Sequence, residues 1–304
     1  MLINIGEQVQ KLNDIRKGNI VEGLKLGIDE VDNHFRFKRG NFNIVLGHAN
    51  VGKTTMTLYL MLLYSLKHEV KWLIYSSENE PYTLIKKLIE FLEQKPINLI
   101  ETDIYQERIK WINAHFKFID SSELYSYKDL LNFAKEVLNT FQFDGFMIDP
   151  YNSLTKEKET FRAIGGHEYD YLVASEMRIF CKKHNVTIWL NAHAHTEALR
   201  KKYPKGHLYE GHPMPPESAD IEGGGKFVNR CDDYIVWHRM IYHKFDWIYS
   251  QMYVKKVKDI DTGGLPTPMD EPIRFKSLVN NVGFEIAGKN YIQKKIYKQA
   301  EVPF

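Results

Sequence analysis

The clearest chemical signal in the chain is a short run of glycine, lysine and threonine residues. Residues 47–54 read GHANVGKT, which matches G-x-x-x-x-G-K-[ST], the phosphate-binding P-loop. An apolar run at residues 43–46 precedes the motif and a helix-like segment at residues 55–66 follows it, as the motif requires. Backbone N–H groups of such a loop surround phosphate oxygens at a helix N-terminus, so the pattern predicts a bound nucleotide. A glycine-containing turn before an ordinary helix is the alternative.

The P-loop predicts a role for each of its residues. We expect Lys53 to reach the β- and γ-phosphates and Thr54 to ligate Mg²⁺. Gly47 and Gly52 are expected to adopt backbone torsions that are closed to other residues. The predicted nucleotide-binding residues are Gly47, Asn50, Val51, Gly52, Lys53, Thr54 and Thr55.

Two carboxylates follow strand-like runs, where ligands bind in open parallel sheets. A predicted strand at residues 70–75 leads to Glu78, which could orient and deprotonate an attacking water. Glu78 could instead complement a helix dipole, a role for which Glu80 is adequate. The apolar run 143–149 ends in Asp149 and matches a Walker B segment, in which Asp149 would hold Mg²⁺ through water.

Histidines follow the predicted strand 186–190. His193 is interpreted as a polar group that faces the γ-phosphate. His193, His195, His207 and His212 lie within twenty residues of one another, so zinc is an alternative. Their segment has no cysteine and no tight ligand spacing, which disfavours zinc.

Two basic, glycine-bearing segments, residues 152–168 and 197–225, are predicted to be long loops that emerge near the nucleotide. Loops of this kind suit the binding of a phosphate backbone, with Lys201, Lys202 and Lys226 as predicted DNA contacts. Solvated surface loops are the alternative.

Composition limits the class of protein. The 304 residues are 43% hydrophobic and 26% charged, which fits one large α/β domain or two small ones. A net charge of +2 requires any nucleic-acid site to be a local patch. Two distant cysteines indicate a reducing, cytoplasmic setting, as in a bacterial or phage-infected cell. The longest apolar stretch is too short to span a membrane, and no secretory signal precedes it.

The remaining patterns place the other elements. Asn79 is predicted to cap a helix over residues 82–93 that Pro81 begins. Helical spacing predicts one helix from Ile5 to Ile15 and a second over residues 24–35. The first is either an arm that packs on a neighbouring subunit or a helix packed on its own domain. Further helices are predicted at residues 130–138 and 169–183, and further strands at residues 116–120, 233–238, 251–258 and 272–275.

Taken together, these residues resemble the RecA-fold ATPase domain of the DnaB-type replicative helicases, including their phage and mitochondrial members, over roughly residues 20–286. After the P-loop, matching segments follow in the family's order. Residues 75–79 resemble the segment with the catalytic glutamate, 148–152 the Walker B segment and 191–193 the segment with the γ-phosphate sensor. Residues 220–226 and 232–239 resemble the motif whose start forms a DNA-binding loop, and 255–259 with 262–263 resemble the lysine and arginine-finger segment that reaches a neighbour's nucleotide in trans. The resemblance implies an α/β, RecA-like P-loop NTPase with a twisted, mostly parallel sheet flanked by helices and antiparallel C-terminal strands.

The resemblance also implies site residues. Lys53, Glu78, His193 and Lys258 would be catalytic, with ATP and Mg²⁺ as cofactors. DNA contacts are implied at Gly223, Gly224, Gly225 and Lys226. Lys256 and Lys258 would reach a neighbour's nucleotide, and their spacing on a strand predicts that both point to the same face. Glu222 and Lys258 stand where bacterial members often carry arginine, and lysine lacks the arginine fork.

The activity implied is that of an ATP-dependent replicative helicase, a hexameric ring that moves 5′→3′ on single-stranded DNA. Expected domains are an arm or linker helix at residues 1–20, the ATPase domain at 21–287 and a tail at 288–304. A separate primase, polymerase or loader is the expected partner class. A RecA-like protein that forms filaments for recombination or loading is the first alternative, and an NTPase without a nucleic-acid partner is the second. The terminal Pro303 and Phe304 form either a partner-docking tail or a frayed end.

Overall fold

Nine strands form one sheet within residues 4–18, 22–222 and 225–292, which the computed structural model describes. They are β1 (Phe42–Gly47), β2 (Trp72–Ser76), β3 (Phe116–Phe118), β4 (Gly145–Asp149), β5 (Thr187–His193), β6 (Asp233–Arg239), β7 (Tyr249–Val257), β8 (Ile273–Ser277) and β9 (Phe284–Ile286). Their order in the sheet is β3-β2-β4-β5-β1-β6-β7-β8-β9. Strands β1 to β6 pair in parallel, whereas β7, β8 and β9 pair antiparallel. The predicted mostly parallel sheet with antiparallel C-terminal strands is confirmed.

Helices cover both faces of the parallel strands. They are α1 (Val9–Arg16), α2 (Asp29–Asp32), α3 (Lys53–His68), α4 (Pro81–Glu93), α5 (Thr102–His115), α6 (Tyr127–Val137), α7 (Lys158–His184), α8 (Lys226–Arg230) and α9 (Ile260–Gly263). Within the same described ranges, none of these helices has the length and apolar character needed to cross a membrane.

Strand β1 shows why these strands are continuous apolar runs. Val45 packs into the core that contains α3 and α4, whereas Ile44 and Leu46 pack into the core that contains α6 and α7. A strand buried on both faces needs apolar residues at consecutive positions, which is the pattern that the sequence shows. The strand therefore holds the P-loop at a fixed place between two cores.

The segment before β1 is fixed by one buried carboxylate. Asp32 accepts hydrogen bonds from the backbone N–H groups of Leu26, Gly27 and Ile28 at 2.7, 2.7 and 3.0 Å. The helix predicted over residues 24–35 is therefore reduced to α2, because these N–H groups bond to a side chain rather than to helical carbonyls. Leu24 instead forms a β-bridge with Phe37.

Other boundaries also differ from the predictions. The predicted loop 152–168 is helical from Lys158 onward, where α7 begins, and inside α7 only Gly165 has non-helical torsions, with φ of 76°. The predicted Asn79 cap is wrong, because Glu80 occupies the N-cap position of α4 and the Asn79 amide donates to Ser76 Oγ. Helix α5 and strand β9 correspond to no predicted element. Their apolar positions are few or their length is short, which weakens a periodic signal.

The described segments nearest the two termini differ in structure. The helical spacing near the N-terminus is confirmed by α1 and the short 3-10 helix Ile5–Gln8 before it. Near the other end, Ile292 is buried, and its carbonyl accepts a hydrogen bond of 2.6 Å from the Gln94 amide. Residues 290–292 thus still pack on the domain, although the predicted tail begins at 288. The predicted docking residues Pro303 and Phe304 lie outside the described residues.

Asp32→Ala is expected to lower the free energy of unfolding by about 2–4 kcal/mol, because three backbone N–H groups lose their acceptor in a largely buried turn. Urea unfolding followed by tryptophan fluorescence measures the change. Glu30→Ala, at an exposed position of the same helix, is the matched control and should change stability by less than about 0.5 kcal/mol. Equal effects of the two substitutions would contradict this role of Asp32.

Candidate nucleotide-binding site

The sheet order brings the predicted site residues to one edge. Strands β2, β4, β5 and β1 are consecutive neighbours and run parallel, so their carboxyl ends meet. Gly47 is in register with His193, and Ser76 is in register with Asp149. The edge therefore collects the P-loop, the segment that leads to Glu78, the Walker B carboxylate and His193.

The two P-loop glycines are required for different reasons. Gly52 has φ of +87°, in the left-handed region that glycine adopts without a steric penalty. Gly47 lies in β1 and has no such torsion, so the prediction of special torsions is wrong for this residue. A Cβ at Gly47 would lie 2.6 Å from the Trp237 carbonyl oxygen and 2.9 Å from Lys53 Cγ. Close approach of β6 and of the lysine side chain is what excludes a larger residue there.

The other predicted P-loop residues occupy distinct environments. Asn50 is exposed and has φ of 62°, so the loop contains a second left-handed residue. Val51 is buried in the core on the α3 side, which anchors the loop. Thr55 lines a small cavity between α3 and α4 together with Thr54 and Asn79.

Lys53 is a buried cation surrounded by acceptors that carry no charge. Its ammonium donates to the carbonyl oxygens of Gly47 at 3.2 Å and His48 at 3.1 Å, and it lies 3.2 Å from His193 Nδ1. The residue is 6% exposed, and within the described ranges it forms no ion pair. Burial lowers the pKa of Lys53, against the opposing influence of the Asp149 and Glu78 carboxylates. An anion beside the ammonium would stabilise the charged form.

Asp149 is a buried carboxylate held by three polar side chains. Its Oδ2 accepts from Thr54 Oγ1 at 2.8 Å and from Ser76 Oγ at 3.1 Å, and its Oδ1 accepts from Asn191 Nδ2 at 2.8 Å. Burial raises the pKa of Asp149, and these hydrogen bonds act in the opposite direction. Thr54 and Asp149, the predicted Mg²⁺ ligands, are thus adjacent. A divalent cation at this place would meet oxygen ligands, which Mg²⁺ prefers.

His193 connects Lys53 with Glu78. Because an ammonium can only donate, His193 Nδ1 is the acceptor, and Nε2 carries the proton that it donates to Glu78 Oε1 at 3.0 Å. The Glu78 side chain is 50% exposed, so water can reach it. Glu80 lies at the start of α4 and makes no capping hydrogen bond. The structure brings Glu78, and not Glu80, into contact with the P-loop lysine through one histidine.

Three polar residues of this edge carried no predicted role. Ser76 and Asn191 satisfy Asp149, and the Asn152 side chain accepts from the His193 backbone N–H at 2.9 Å. Ser76 and Asn191 lie in the last residues of parallel strands, and Asn152 closely follows one. Polar side chains at strand ends beside a P-loop are the signal that could have identified them.

The predicted DNA contacts are distributed over the loop after β5 and the start of α8. Lys201 pairs with the buried Asp220 at 2.6 Å, and Lys226 pairs with Glu168 at 2.6 Å. Lys202 is exposed and has no ion-pair partner in the described part of the chain. Gly225 is the N-cap residue of α8, whereas Gly223 and Gly224 lie outside the described residues.

The two lysines of the predicted trans finger contact one segment of their own chain. Lys256 Nζ donates to the carbonyl oxygens of Val228 at 2.6 Å and Cys231 at 2.8 Å. Lys258 lies one residue beyond β7, and its ammonium is 3.2 Å from Asp232 Oδ1. Both side chains therefore reach the segment 228–232, but they differ in their partners: carbonyls for Lys256, a carboxylate for Lys258.

The histidines that suggested zinc lie in separate environments. His195 is 3.8 Å from Asp220, His207 stacks on Tyr203, and His212 packs against His243. Among the residues that the structure describes, no group of three His, Cys, Asp or Glu side chains is arranged to hold a metal ion.

Comparison with known proteins identifies the fold. No protein-family model matches the chain. The chain has a TM-score of 0.73 to a solved structure described as the ATPase domain of G40P, at 14% identity, covering 93% of this chain and 99% of that one. It has a TM-score of 0.68 to a DnaB-like replicative helicase, from a structure that describes its interactions with primase, at 15% identity, covering 93% of this chain and 67% of that one.

A sequence relative points in the same direction. The Twinkle homolog protein, chloroplastic/mitochondrial, of Arabidopsis thaliana is 27% identical over an alignment of 230 residues, and the match covers 71% of this chain. In fold, the chain is similar to the ATPase domains of DnaB-like helicases. The predicted resemblance and the predicted RecA-like fold are thereby confirmed. The chain spans 30% of the length of the Arabidopsis relative.

Gly47→Ala is expected to weaken nucleotide binding by about tenfold or more, because the added methyl group displaces either the β6 backbone or the Lys53 side chain. Titration with a fluorescent ATP analogue measures the affinity, and circular dichroism reports whether the variant is folded. Gly166→Ala is the control, since a Cβ there meets only Phe161 at 3.4 Å. An unchanged affinity in a folded Gly47→Ala protein would show that the lysine tolerates displacement.

Proposed function

We propose that this chain is the motor domain of an ATP-dependent DNA helicase that acts on single-stranded DNA. The observation that carries the proposal is the linkage Lys53–His193–Glu78 beside the Thr54–Asp149 pair. It provides a cation for phosphate, oxygen ligands for a metal and a water-accessible carboxylate within one cluster. The DnaB-like fold and the Twinkle homolog support the assignment to helicases.

ATP and Mg²⁺ are the proposed cofactors, and the residues fit them. The Lys53 ammonium is desolvated and lacks an anion within the described chain, so a triphosphate is a fitting partner. Thr54 and Asp149 would hold Mg²⁺, which when bound offsets the charge of the β- and γ-phosphates. The P-loop backbone N–H groups, from Gly47 to Thr55, would surround the phosphate oxygens.

Glu78 and His193 have complementary roles in the proposed reaction. Glu78 would orient the attacking water and accept its proton, because its carboxylate is accessible. His193 fixes the position of Glu78 through the Nε2–H hydrogen bond and contacts Lys53 on its other side. A γ-phosphate beside Lys53 would change the partners of His193, which makes this residue the proposed sensor.

DNA contacts are proposed for the loop after β5 and the start of α8. Lys201, Lys202 and Lys226, with the backbone of Gly223, Gly224 and Gly225, would hold the phosphate backbone without regard to sequence. Lys202 has no ion pair to break within the described chain, so it should contribute most per charge. The same loop touches the P-loop, because the His48 ring nitrogen Nε2 lies 3.0 Å from the Met214 carbonyl oxygen and donates to it. This contact would couple the nucleotide state of the P-loop to the affinity of the loop for DNA.

The chain is proposed to work in a hexameric ring. Residues 1–20 would form an arm that packs on a neighbouring subunit, and residues 21–287 would form the ATPase domain. In support, the apolar side chains of the N-terminal helical segment remain exposed by 44 to 77% in the single chain: Ile5, Val9, Leu12 and Ile15. An amphipathic helix of this kind gains most of its stability from burying that stripe.

Lys258 is the preferred candidate for a finger that acts in trans. Its side chain is 49% exposed, and Asp232 keeps a second cation, Arg178 at 3.0 Å, if Lys258 moves away. Lys256 is less available, since leaving its site would strand two carbonyl groups in a partly buried position. A lysine is a point charge, so its effect should be smaller than that of a forked arginine.

The proposed partners and cellular compartment follow from the assignment to helicases. A separate primase, polymerase or loader is proposed as the partner class, and the helicase of similar fold was solved with its interactions with primase. A reducing compartment such as a cytoplasm is proposed, in support of which Cys181 and Cys231 are both buried and free. Burial raises the pKa of each thiol to about 12, so neither is reactive.

Glu78→Gln is the test of the proposed function. The variant is expected to bind ATP and single-stranded DNA normally but to lose at least about 100-fold in DNA-stimulated hydrolysis and all fork unwinding, because it lacks the base. Glu80→Gln is the matched control and should retain both activities. If Glu80→Gln loses hydrolysis instead, the catalytic base is Glu80 and not Glu78. If the wild-type protein hydrolyses ATP but DNA does not stimulate the reaction, the helicase assignment is wrong. Open filaments with slow hydrolysis would favour a RecA-like recombinase instead.

A mixing experiment tests the trans role of Lys258. Lys258→Ala has an intact P-loop, and Lys53→Ala has an intact finger, so each is expected to hydrolyse ATP at a few per cent of the wild-type rate or less. Mixed rings contain interfaces that pair an intact P-loop with an intact finger, and activity should partly return. If Lys258→Ala alone is fully active, or co-assembled mixtures stay inactive, Lys258 does not act in trans.

A further inference from the structure

A second polar cavity lies away from the P-loop, between the loop after β5 and the antiparallel strands. It has a volume of about 240 Å³ and is lined by Tyr203, His207 and Tyr209 from the loop and by Gln251 and Arg274 from β7 and β8. Gln251 and Arg274 are directly opposite in the sheet. Tyr253, also at the cavity, belongs to the core on the side of α6 and α7, so the cavity lies on the sheet face opposite α3.

The loop holds this cavity in a defined shape. Lys202 forms a β-bridge with Pro213, and the Tyr203 N–H donates to the His212 carbonyl oxygen at 3.0 Å. The Tyr209 hydroxyl donates to Asp246 at 2.9 Å, which ties the loop to the connection between β6 and β7. The aromatic residues are therefore positioned by hydrogen bonds before any ligand arrives.

The loop side of the cavity is formed by aromatic rings together with Leu208. Tyr203 and His207 stack with their centroids 4.2 Å apart and an interplanar angle of 12°, and Tyr209 meets Tyr203 at 5.6 Å and 60°. Such surfaces bind flat, unsaturated rings without preference for one base, because every base has a π-face. The volume accommodates one ring system of that size and not a folded peptide.

The strand side offers a donor and an acceptor. Gln251 is 2% exposed, and its Oε1 accepts from the Tyr253 hydroxyl at 3.3 Å. Within the described residues its amide nitrogen has no protein acceptor, and it is not fully enclosed, so it is accessible to a ligand in the cavity. Asp270, exposed at the cavity, has no ion pair in that part of the chain. A buried amide donor beside a carboxylate acceptor matches the edge of a nucleobase, which presents donors and acceptors together.

The surrounding charge favours a base that is attached to phosphates over a cationic side chain of another protein. Lys202 and Lys205 flank Tyr203 in the sequence, are exposed, and pair with no acidic group among the described residues. Arg274 lines the cavity and is paired with Asp246 at 2.8 Å. A lysine or arginine that entered could pair with Asp270 but would be repelled by Lys202 and Lys205, whereas a nucleotide would bring phosphates to the lysines and a base donor to Asp270.

We propose that this cavity binds one unstacked base of the single-stranded DNA, whose phosphates contact Lys202 and Lys205. The proposal rests on the proposed DNA-binding function and adds a base contact to it. The base stacks on the ring cluster, Gln251 donates to an acceptor on its edge, and Asp270 accepts from a donor. Met214, in the same loop, accepts a hydrogen bond from His48, so the loop that forms one side of the cavity also contacts the P-loop.

The test compares two strands of equal length and charge with the full chain. One is a mixed-base oligonucleotide, and the other has abasic sites at most positions. Wild-type protein is expected to bind the first more tightly. Gln251→Leu and Asp270→Asn should weaken only that binding, each by about 3- to 10-fold. Asp103→Asn, an exposed carboxylate on α5, is the matched control. Equal binding of both strands by the wild type, or equal loss on both strands in the variants, would overturn the proposal.

Photocrosslinking gives a second readout that does not depend on a variant that folds. An oligonucleotide with a single 5-iodouracil is expected to form adducts with Tyr203, His207 or Tyr209, identified by mass spectrometry. Adducts only at other residues would overturn the assignment. Protection by deoxynucleoside monophosphates as effective as protection by unlabelled strand would show that the cavity takes free nucleotides. Variants that change sedimentation but not DNA affinity would show that it takes a neighbouring subunit's side chain.

The failure of this inference is separable from that of the proposed function. If DNA stimulates ATP hydrolysis and the cavity variants behave as wild type on both strands, only the base contact is wrong. If the wild-type chain binds neither strand and DNA leaves hydrolysis unchanged, the helicase assignment and the base contact both fail.

Discussion

The architecture of the site depends on the burial of one carboxylate. Asp149 is 1% exposed, and an unpaired carboxylate at such a place would strongly destabilise the fold. Its hydrogen bonds come from β2, β5 and the first turn of α3, so all of them must stop at the same edge in one register. The hydrogen bonds that stabilise the buried carboxylate therefore also place Thr54 beside Asp149, where the two residues could hold the proposed Mg²⁺. Structural need and proposed chemistry are met by the same contacts.

From this edge, contacts extend outward in two directions. Lys53 contacts His193 and thereby Glu78, which joins the phosphate end of the site to its water-accessible side. His48, in the P-loop itself, bonds to Met214 in the loop that carries the proposed DNA contacts. A change of ligand at the P-loop would therefore reach both Glu78, the proposed catalytic base, and the loop that carries the proposed DNA contacts. The proposed motor would need both connections, since hydrolysis and DNA affinity would have to change together.

Several features of the described chain lack a complementary partner, and each fits a different kind of partner. The Lys53 ammonium lacks an anion, the N-terminal helical segment exposes an apolar stripe, and the Gln251 amide nitrogen lacks an acceptor, all within the described residues. A phosphate, a neighbouring subunit and a base edge would satisfy them in turn. Lys256, by contrast, is satisfied by its own chain, which is why Lys258 is the better candidate for contact across an interface.

The sequence by itself determined the P-loop, the carboxylates at strand ends and the mostly parallel sheet, because these depend on local patterns: glycine spacing, apolar runs and the residues that close them. It did not determine that Gly47 is excluded by the Trp237 carbonyl rather than by its torsions, or that Asp32 shortens a predicted helix by taking its N–H groups. It also gave no reason to pair Ser76 and Asn191 with Asp149, or to place Tyr203 opposite Gln251. These contacts join residues that are distant in the chain, so only the packing of strands and loops in three dimensions could decide them.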